Sequence, residues 1–300
     1  MRLINSIAIV ANTSFKQWFE DLILTTQVCI KDTGIGCDVV YTHDINSLFN
    51  SKYDAIVVYG PHNFTIPFRR HPQKIYVALD YEQTPLETHT CLEAEQKFQQ
   101  LIKYYKQYNF LFTENESKNK YLKKHGIEAE IFDIGFHPIQ TSLLLDKPCK
   151  KIYDVIMFGG MSYRRNELYT KLRSAGLKCY DPVKKIFNIQ QRANLILKSK
   201  VCLNVHFYNM MYFEKPRIIC QYFANKGFVI SEALSDLEGL VDGQHLVITP
   251  YNKLVDTVRS FCDNERADER LCVGNEAFDF VRKHKRATDH TAHLLNIIRS

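Results

Sequence analysis

Asp154-Val155-Ile156-Met157-Phe158-Gly159-Gly160 reads as a short apolar strand ending in a glycine pair, and residues 166–175 read as a helix stopped by Gly176. A strand that is apolar on both faces is covered on both faces, which in a chain of ordinary composition means a parallel sheet with helices above and below. The same unit recurs downstream. Strand patterns are expected at 177–180, 201–205, 228–231 and 245–248, and helices near 189–198, 215–225, 253–262, 268–283 and 289–299. Upstream, apolar runs at 7–12, 37–41, 55–60, 74–79 and 109–112 alternate with helical segments. Phe15, Trp18, Phe19, Leu22, Ile23 and Thr26 line one helix face, and Phe98, Leu101, Ile102 and Tyr105 another. The pattern changes between Pro138 and Lys151, the best linker candidate. The chain is therefore expected to be α/β with two similar halves, 1–140 and 150–285, followed by a terminal helix at 286–300. Open sheets of this kind bind ligands beyond the carboxyl ends of their strands, so a cleft between the halves is the expected site.

The composition agrees with this organisation and excludes several others. The 300 residues are 45% hydrophobic and 24% charged with 12 Gly and 9 Pro, which rules out collagenous, disordered and disulfide-scaffold classes. No apolar run approaches the ~20 residues that span a bilayer, and the start of the chain runs directly into a strand pattern. The nine cysteines are scattered, odd in number and without a Cys-x-x-Cys pair, as reduced thiols are, so a soluble cytoplasmic protein is expected. A net charge of +6 favours phosphates, anionic membrane or nucleic acid without selecting among them.

Three clusters at strand ends carry the candidate chemistry. In the first, Gly159 and Gly160 let the backbone approach a phosphate, the following helix offers unpaired N–H groups, and Arg164 and Arg165 add planar cationic donors. A tight turn with a solvated basic pair is the competing reading. In the second, His206 and Tyr208 follow a strand, and Glu214, Pro216 and Arg217 mark the start of a helix. In the third, a strand ends in Ser231 and Glu232, where a carboxylate accepts bonds from ribose hydroxyls or merely caps a turn. In the first half, His62, Asp80 and Glu82 lie at strand ends and are candidates for the base that activates an acceptor. The dinucleotide fingerprint, the Walker loop, the Gly-x-Ser-x-Gly elbow and zinc-type His/Cys spacing are missing, so no obligatory metal is expected. The basic run at 282–286 reads as a solvated helix end or a contact to a polyanion.

The string from Lys198 to Gly243, with Asn204-Val205-His206-Phe207-Tyr208, Glu214, Arg217 and Gly227-Phe228-Val229-Ile230-Ser231-Glu232, resembles the donor half of GT-B glycosyltransferases. More narrowly it resembles the CgeB-like group with the glycosyl transferases group 1 domain. The resemblance implies two Rossmann-like domains facing a central cleft, and sugar transfer from a UDP- or GDP-sugar held by the second domain to an acceptor held by the first. It implies no obligatory cofactor. Arg164, Arg165 and Arg217 would neutralise the diphosphate, His206 would sit near sugar or diphosphate, and Glu232 near ribose or base. Many retaining members have a second Glu eight positions after the first, where this chain has Tyr222 after Glu214. By the same resemblance the terminal helix packs back on the first domain. A cell-envelope glycan or lipid-linked saccharide is the first expected acceptor, with contact to an anionic membrane, and a hydroxymethylated base in DNA is the second. A catalytically silent sugar-nucleotide or polyanion binding module is the reading from another class.

Overall fold

The computed structural model describes residues 3–64, 67–81, 92–114, 116–181, 188–207 and 214–300. The chain forms two compact units, one made of the residues up to Ile134 together with Ala287–Ser300, the other of Gly135–Arg286. No helix among the described residues is long and apolar enough to cross a membrane.

The first unit is a six-stranded, all-parallel sheet in the order β2-β1-β3-β4-β5-β6. Its strands are β1 (Ser6–Ala11), β2 (Gly36–Tyr41), β3 (Ala55–Tyr59), β4 (Ile75–Asp80), β5 (Phe110–Thr113) and β6 (Glu130–Ile131). Helices α1 (Lys16–Lys31), α2 (Leu92–Tyr105) and α3 (Glu116–Lys124) connect them. Every residue of β3 and β4 is buried, as the continuous apolar runs require. Strand β6 escapes a sequence reading because two residues carry no periodicity. The strand order reverses between β1 and β3, and Asn12 closes that gap by donating its side-chain amide to the carbonyl of Asn63 at 2.6 Å.

The second unit has a four-stranded parallel sheet, order β10-β9-β8-β7, from β7 (Tyr153–Ile156), β8 (Ser199–Asn204), β9 (Val229–Ser231) and β10 (Val247–Ile248). Helices α4 (Tyr163–Ser174), α5 (Ile189–Leu197), α6 (Leu254–Phe261) and α7 (Ala267–His284) belong to it, and α8 (Ala287–Arg299) returns to the first unit, where Thr291 meets the thiol of Cys29 on α1. The segment read as a connection is built into the second unit. There the amide N–H of Ser142 reaches Asn225 Oδ1 at 2.7 Å, and Asn225 returns a bond to the Gln140 carbonyl at 3.0 Å.

Two elements differ from their sequence reading. The stretch 177–180 contributes a single bridge, Val155 to Cys179, rather than a full strand. The helix expected at 215–225 is a π-helix, Pro216–Tyr222, closed by a short 3₁₀ turn, Phe223–Asn225. In a π-helix residues five apart align, and here Arg217 and Tyr222 both reach the end of β8.

Gly274 of α7 packs against the end of that 3₁₀ turn, at Lys226, whose φ is +53°. A Cβ on Gly274 would lie 2.5 Å from the Lys226 carbonyl oxygen. Backbone cannot swing aside as a side chain can. Gly274→Ala is therefore expected to destabilise by about 1–3 kcal/mol despite its gain in helix propensity, read from the urea midpoint at unchanged slope.

Candidate functional site

Strands β7, β8 and β9 are neighbours in the second sheet, so their carboxyl ends bring together three loops far apart in sequence. From β7 the chain turns through Gly159, at φ +104°, and Gly160, and Ser162 caps α4 by accepting the Arg165 N–H. From β8 come His206 and Phe207, and from β9 come Ser231 and Glu232. The π-helix adds Arg217, with Glu214 just before it.

Arg165 is buried and bonds through all three of its nitrogens. Its Nε donates to the Val205 carbonyl at 2.8 Å, Nη1 to the Gly160 carbonyl at 2.7 Å, and Nη2 to Glu214 Oε1 at 2.8 Å. Burial, with the adjacent Arg217 charge, pulls its pKa down to about 10, and Glu214 opposes both. The other oxygen of Glu214 pairs with Arg217, whose Nη1 lies 3.3 Å from Asn204 Oδ1. Gly159 faces both guanidiniums: a Cβ there would be 2.6 Å from Arg217 Nη2 and 3.1 Å from Arg165 Nη1. The glycine is thus required twice, by its φ and by its neighbours.

Arg164 leaves the same turn in the opposite direction. It grips Glu232 with two bonds, Nη2 to Oε1 at 2.7 Å and Nη1 to Oε2 at 3.2 Å, and Nη1 also donates to the His206 carbonyl at 3.2 Å. Its guanidinium lies 4.3 Å from the ring centre of Tyr251, whose hydroxyl donates to the Arg164 carbonyl at 2.8 Å. Glu232 Oε2 also accepts the His206 N–H at 2.9 Å. Ser231 accepts from Asn204 Nδ2 at 2.9 Å and donates to the Glu232 carbonyl at 2.7 Å, so its hydroxyl is held within the framework. Three guanidiniums against two carboxylates leave this corner net positive beside the N-terminus of α4.

The structure therefore gathers Gly159, Gly160, Arg164, Arg165, His206, Glu214, Arg217, Ser231 and Glu232. Tyr208 and Glu82 lie outside the described residues. Three residues join that the sequence reading passed over. Asn204, the one polar residue in its strand end, was open to notice, whereas Phe207, whose ring centre is 5.5 Å from the Arg165 guanidinium, and Tyr251 look like ordinary aromatics in sequence. Tyr222 offers nothing to a ligand: it is fully buried, and its hydroxyl takes the Phe158 N–H at 3.0 Å and donates to the Leu203 carbonyl at 3.3 Å. Among the described residues no three His, Cys, Asp or Glu side chains converge as metal ligands do. Burial pushes the thiols of Cys29 and Cys179 up to about 11 and those of Cys37, Cys202 and Cys262 up to about 12, which leaves these five poor nucleophiles at neutral pH.

In the first unit Asp80 and His62 are neighbours, 3.9 Å apart at the ends of β4 and β3. Asp80 is fully buried, however, and pairs with the equally buried Lys118 at 2.8 Å while accepting the Tyr105 hydroxyl. Burial alone would raise its pKa, but the charges of Lys118 and His62 and the bonds from Lys118 and Tyr105 bring it below the ordinary 3.8. A carboxylate so placed is a poor proton acceptor and a good anchor for α3, which speaks against the base role expected of it. Because the folded-state pKa is depressed, the stabilisation is present above the ordinary value and is lost as pH falls through the folded one. Asp80→Asn is expected to cost about 3 kcal/mol at neutral pH, by stranding Lys118, with the deficit shrinking only below about pH 4; urea melts at both pH values measure it.

No protein-family profile matches the chain, and no characterised protein is detectably similar to it in sequence. Solved structures are similar in fold. Sucrose-phosphate synthase from Thermosynechococcus elongatus superimposes with a TM-score of 0.66 at 10% identity, covering 98% of both chains. An alpha-glucosyltransferase in complex with UDP and a 13-mer DNA containing a HMU base gives 0.63 at 9% identity, covering 98% of this chain and 99% of that one. TarM gives 0.56 at 12% identity, over 82% of this chain and 55% of its own. At these identities the likeness establishes architecture: the chain has the GT-B fold of two Rossmann-like units that these glycosyltransferases share.

Proposed function

We propose that the protein is a glycosyltransferase of the CgeB-like group that takes its sugar from a nucleotide diphosphate donor bound by the second unit. The observation that carries this reading is the cluster of Arg164, Arg165 and Arg217 around a glycine turn and a helix N-terminus, at the carboxyl edge of a parallel sheet. As a glycosidic bond to a diphosphate breaks, negative charge grows on the leaving phosphate, and fixed cationic donors stabilise that charge more than the ground state. Arg217 and the first turn of α4 face the diphosphate. Arg165 holds Gly160 and Glu214 in place, and Arg164 and Glu232 lock each other. Cationic side chains and the helix terminus supply the countercharge that a divalent ion supplies elsewhere. His62 and Glu82 are the bases proposed for the acceptor hydroxyl. UDP is the first nucleotide to test, since it is the ligand named in the alpha-glucosyltransferase complexes, and GDP the second.

For the acceptor, a cell-envelope or lipid-linked saccharide is favoured by the opposite edge of the first sheet. The loops and helix ends that enter β2, β3, β5 and β6 expose Lys31, Lys52, Lys103, Lys106, Lys123 and Lys124 at the amino ends of the strands, away from the ligand edge. Cations there complement helix C-termini, but Lys52, which pairs with Asp38 at 3.5 Å, and Lys106 lie outside helices, and the six lysines make this rim suited to an anionic lipid surface. Such a rim leaves the carboxyl edge free for a lipid-linked substrate. Buried thiols agree with a reducing compartment such as the cytoplasm.

A metal-free thermal-shift panel of UDP-, GDP-, ADP- and CMP-sugars is expected to show stabilisation by one nucleotide class, and silence across the panel would reject the donor site. Arg217→Ala and Arg164→Ala should each weaken donor binding by roughly 1.5–3 kcal/mol in calorimetry. Transfer of labelled sugar separates an enzyme from a silent binding module. Vesicles containing phosphatidylglycerol should pull down the protein at low salt and release it at high salt, and Lys103→Glu with Lys123→Glu should abolish this. Retention on duplex DNA instead, with a steep salt dependence, would point to the base-modifying alternative.

A further inference from the structure

We propose that His206 recognises a hydroxyl group of the donor, most directly one on the sugar, rather than its diphosphate; this deepens and rests on the donor reading above. His206 is held on three sides. Its N–H is bound by Glu232 at 2.9 Å, its carbonyl by Arg164 at 3.2 Å, and its ring Nε2 lies 2.8 Å from the carbonyl oxygen of Ala233. A carbonyl oxygen only accepts, so Nε2 carries the proton. The other nitrogen, Nδ1, is buried and has no partner among the described residues, in a residue that is only 3% exposed.

In that tautomer the neutral ring presents Nδ1 as a lone-pair acceptor. Phosphate oxygens are acceptors too and cannot satisfy it, whereas a hydroxyl can. The division of labour follows from hydrogen-bond chemistry alone: guanidiniums and backbone N–H groups take the diphosphate, and the imidazole lone pair takes an O–H. A buried acceptor left unmet costs its full desolvation, so a donor lacking that hydroxyl is penalised.

The test is calorimetric titration of wild type, His206→Phe and His206→Gln with UDP, 2′-deoxy-UDP, UDP-glucose and its 2-, 3-, 4- and 6-deoxy forms. Wild type is expected to bind one deoxygenated ligand about tenfold more weakly than its parent, while His206→Phe binds the two alike and His206→Gln, which keeps a donor and an acceptor, recovers part of the difference. A loss confined to a deoxy sugar assigns the hydroxyl to the sugar, and one confined to 2′-deoxy-UDP assigns it to the ribose. Long-range ¹H–¹⁵N spectra of wild type should show Nδ1 bare in the free protein and shifted by UDP-glucose but not by the weakened analogue. If His206→Phe fails to fold, the wild-type titrations and these spectra decide alone. Equal weakening of UDP and every sugar form in His206→Phe, a protonated Nδ1, or indifference of wild type to every hydroxyl would overturn the proposal. Absence of any binding by wild type to UDP and UDP-glucose would instead count against the UDP donor reading.

Discussion

Glu214 sits between two arginines, and much of the second unit's ligand edge depends on that arrangement. Arg165 is a buried cation with three of its five donors committed, two of them to backbone carbonyls, so it fixes the end of β8 and the glycine turn after β7 at once. Without the carboxylate, two guanidiniums would face each other in a poorly solvated corner; with it, Arg217 is held beside Arg165 without a separate scaffold. Gly159 is part of the same constraint, since the space a side chain would need is taken by the two guanidiniums. A buried pair of this kind contributes little net stability, but its directional bonds select one geometry for the loops around it.

The two units treat charge differently. In the second, three cations meet two anions and some donor capacity remains at the sheet edge, which suits an anionic ligand. In the first, Asp80 is fully satisfied by Lys118 and Tyr105 at the end of β4. That carboxylate orders the strand ends around it, and the acceptor chemistry proposed for this unit lies with groups less deeply tied, such as His62 at the end of β3.

The chain beyond this corner extends the network. Glu238, itself at φ +48°, holds the buried Lys215 at 2.5 Å and Lys285 at 2.9 Å. Lys215 adjoins Glu214, and Lys285 immediately precedes the residue where the chain leaves the second unit. A non-glycine residue in the left-handed region persists only where its surroundings hold it there, and two lysines do so here.

By itself the sequence determined the α/β class, the parallel sheets and the loops that carry polar residues, because continuous apolar strands, glycine stops and helical periodicity are local signals. It also marked the arginines, His206, Glu214 and Glu232, since they stand at the carboxyl ends of apolar strands, where open sheets bind ligands. Only the tertiary structure decided which of them are spent on the framework. Sequence cannot tell a guanidinium spent on backbone carbonyls from one with donors to offer, so Arg165 and Arg217 looked alike. Nor could it show that Asp80 is sealed by a lysine 38 positions away, that Tyr251 lies under Arg164, or that the helix carrying Arg217 is wound as a π-helix. Those outcomes depend on which side chains the folded sheet brings within hydrogen-bonding distance, and pairing across tens of residues leaves no periodic trace in the chain.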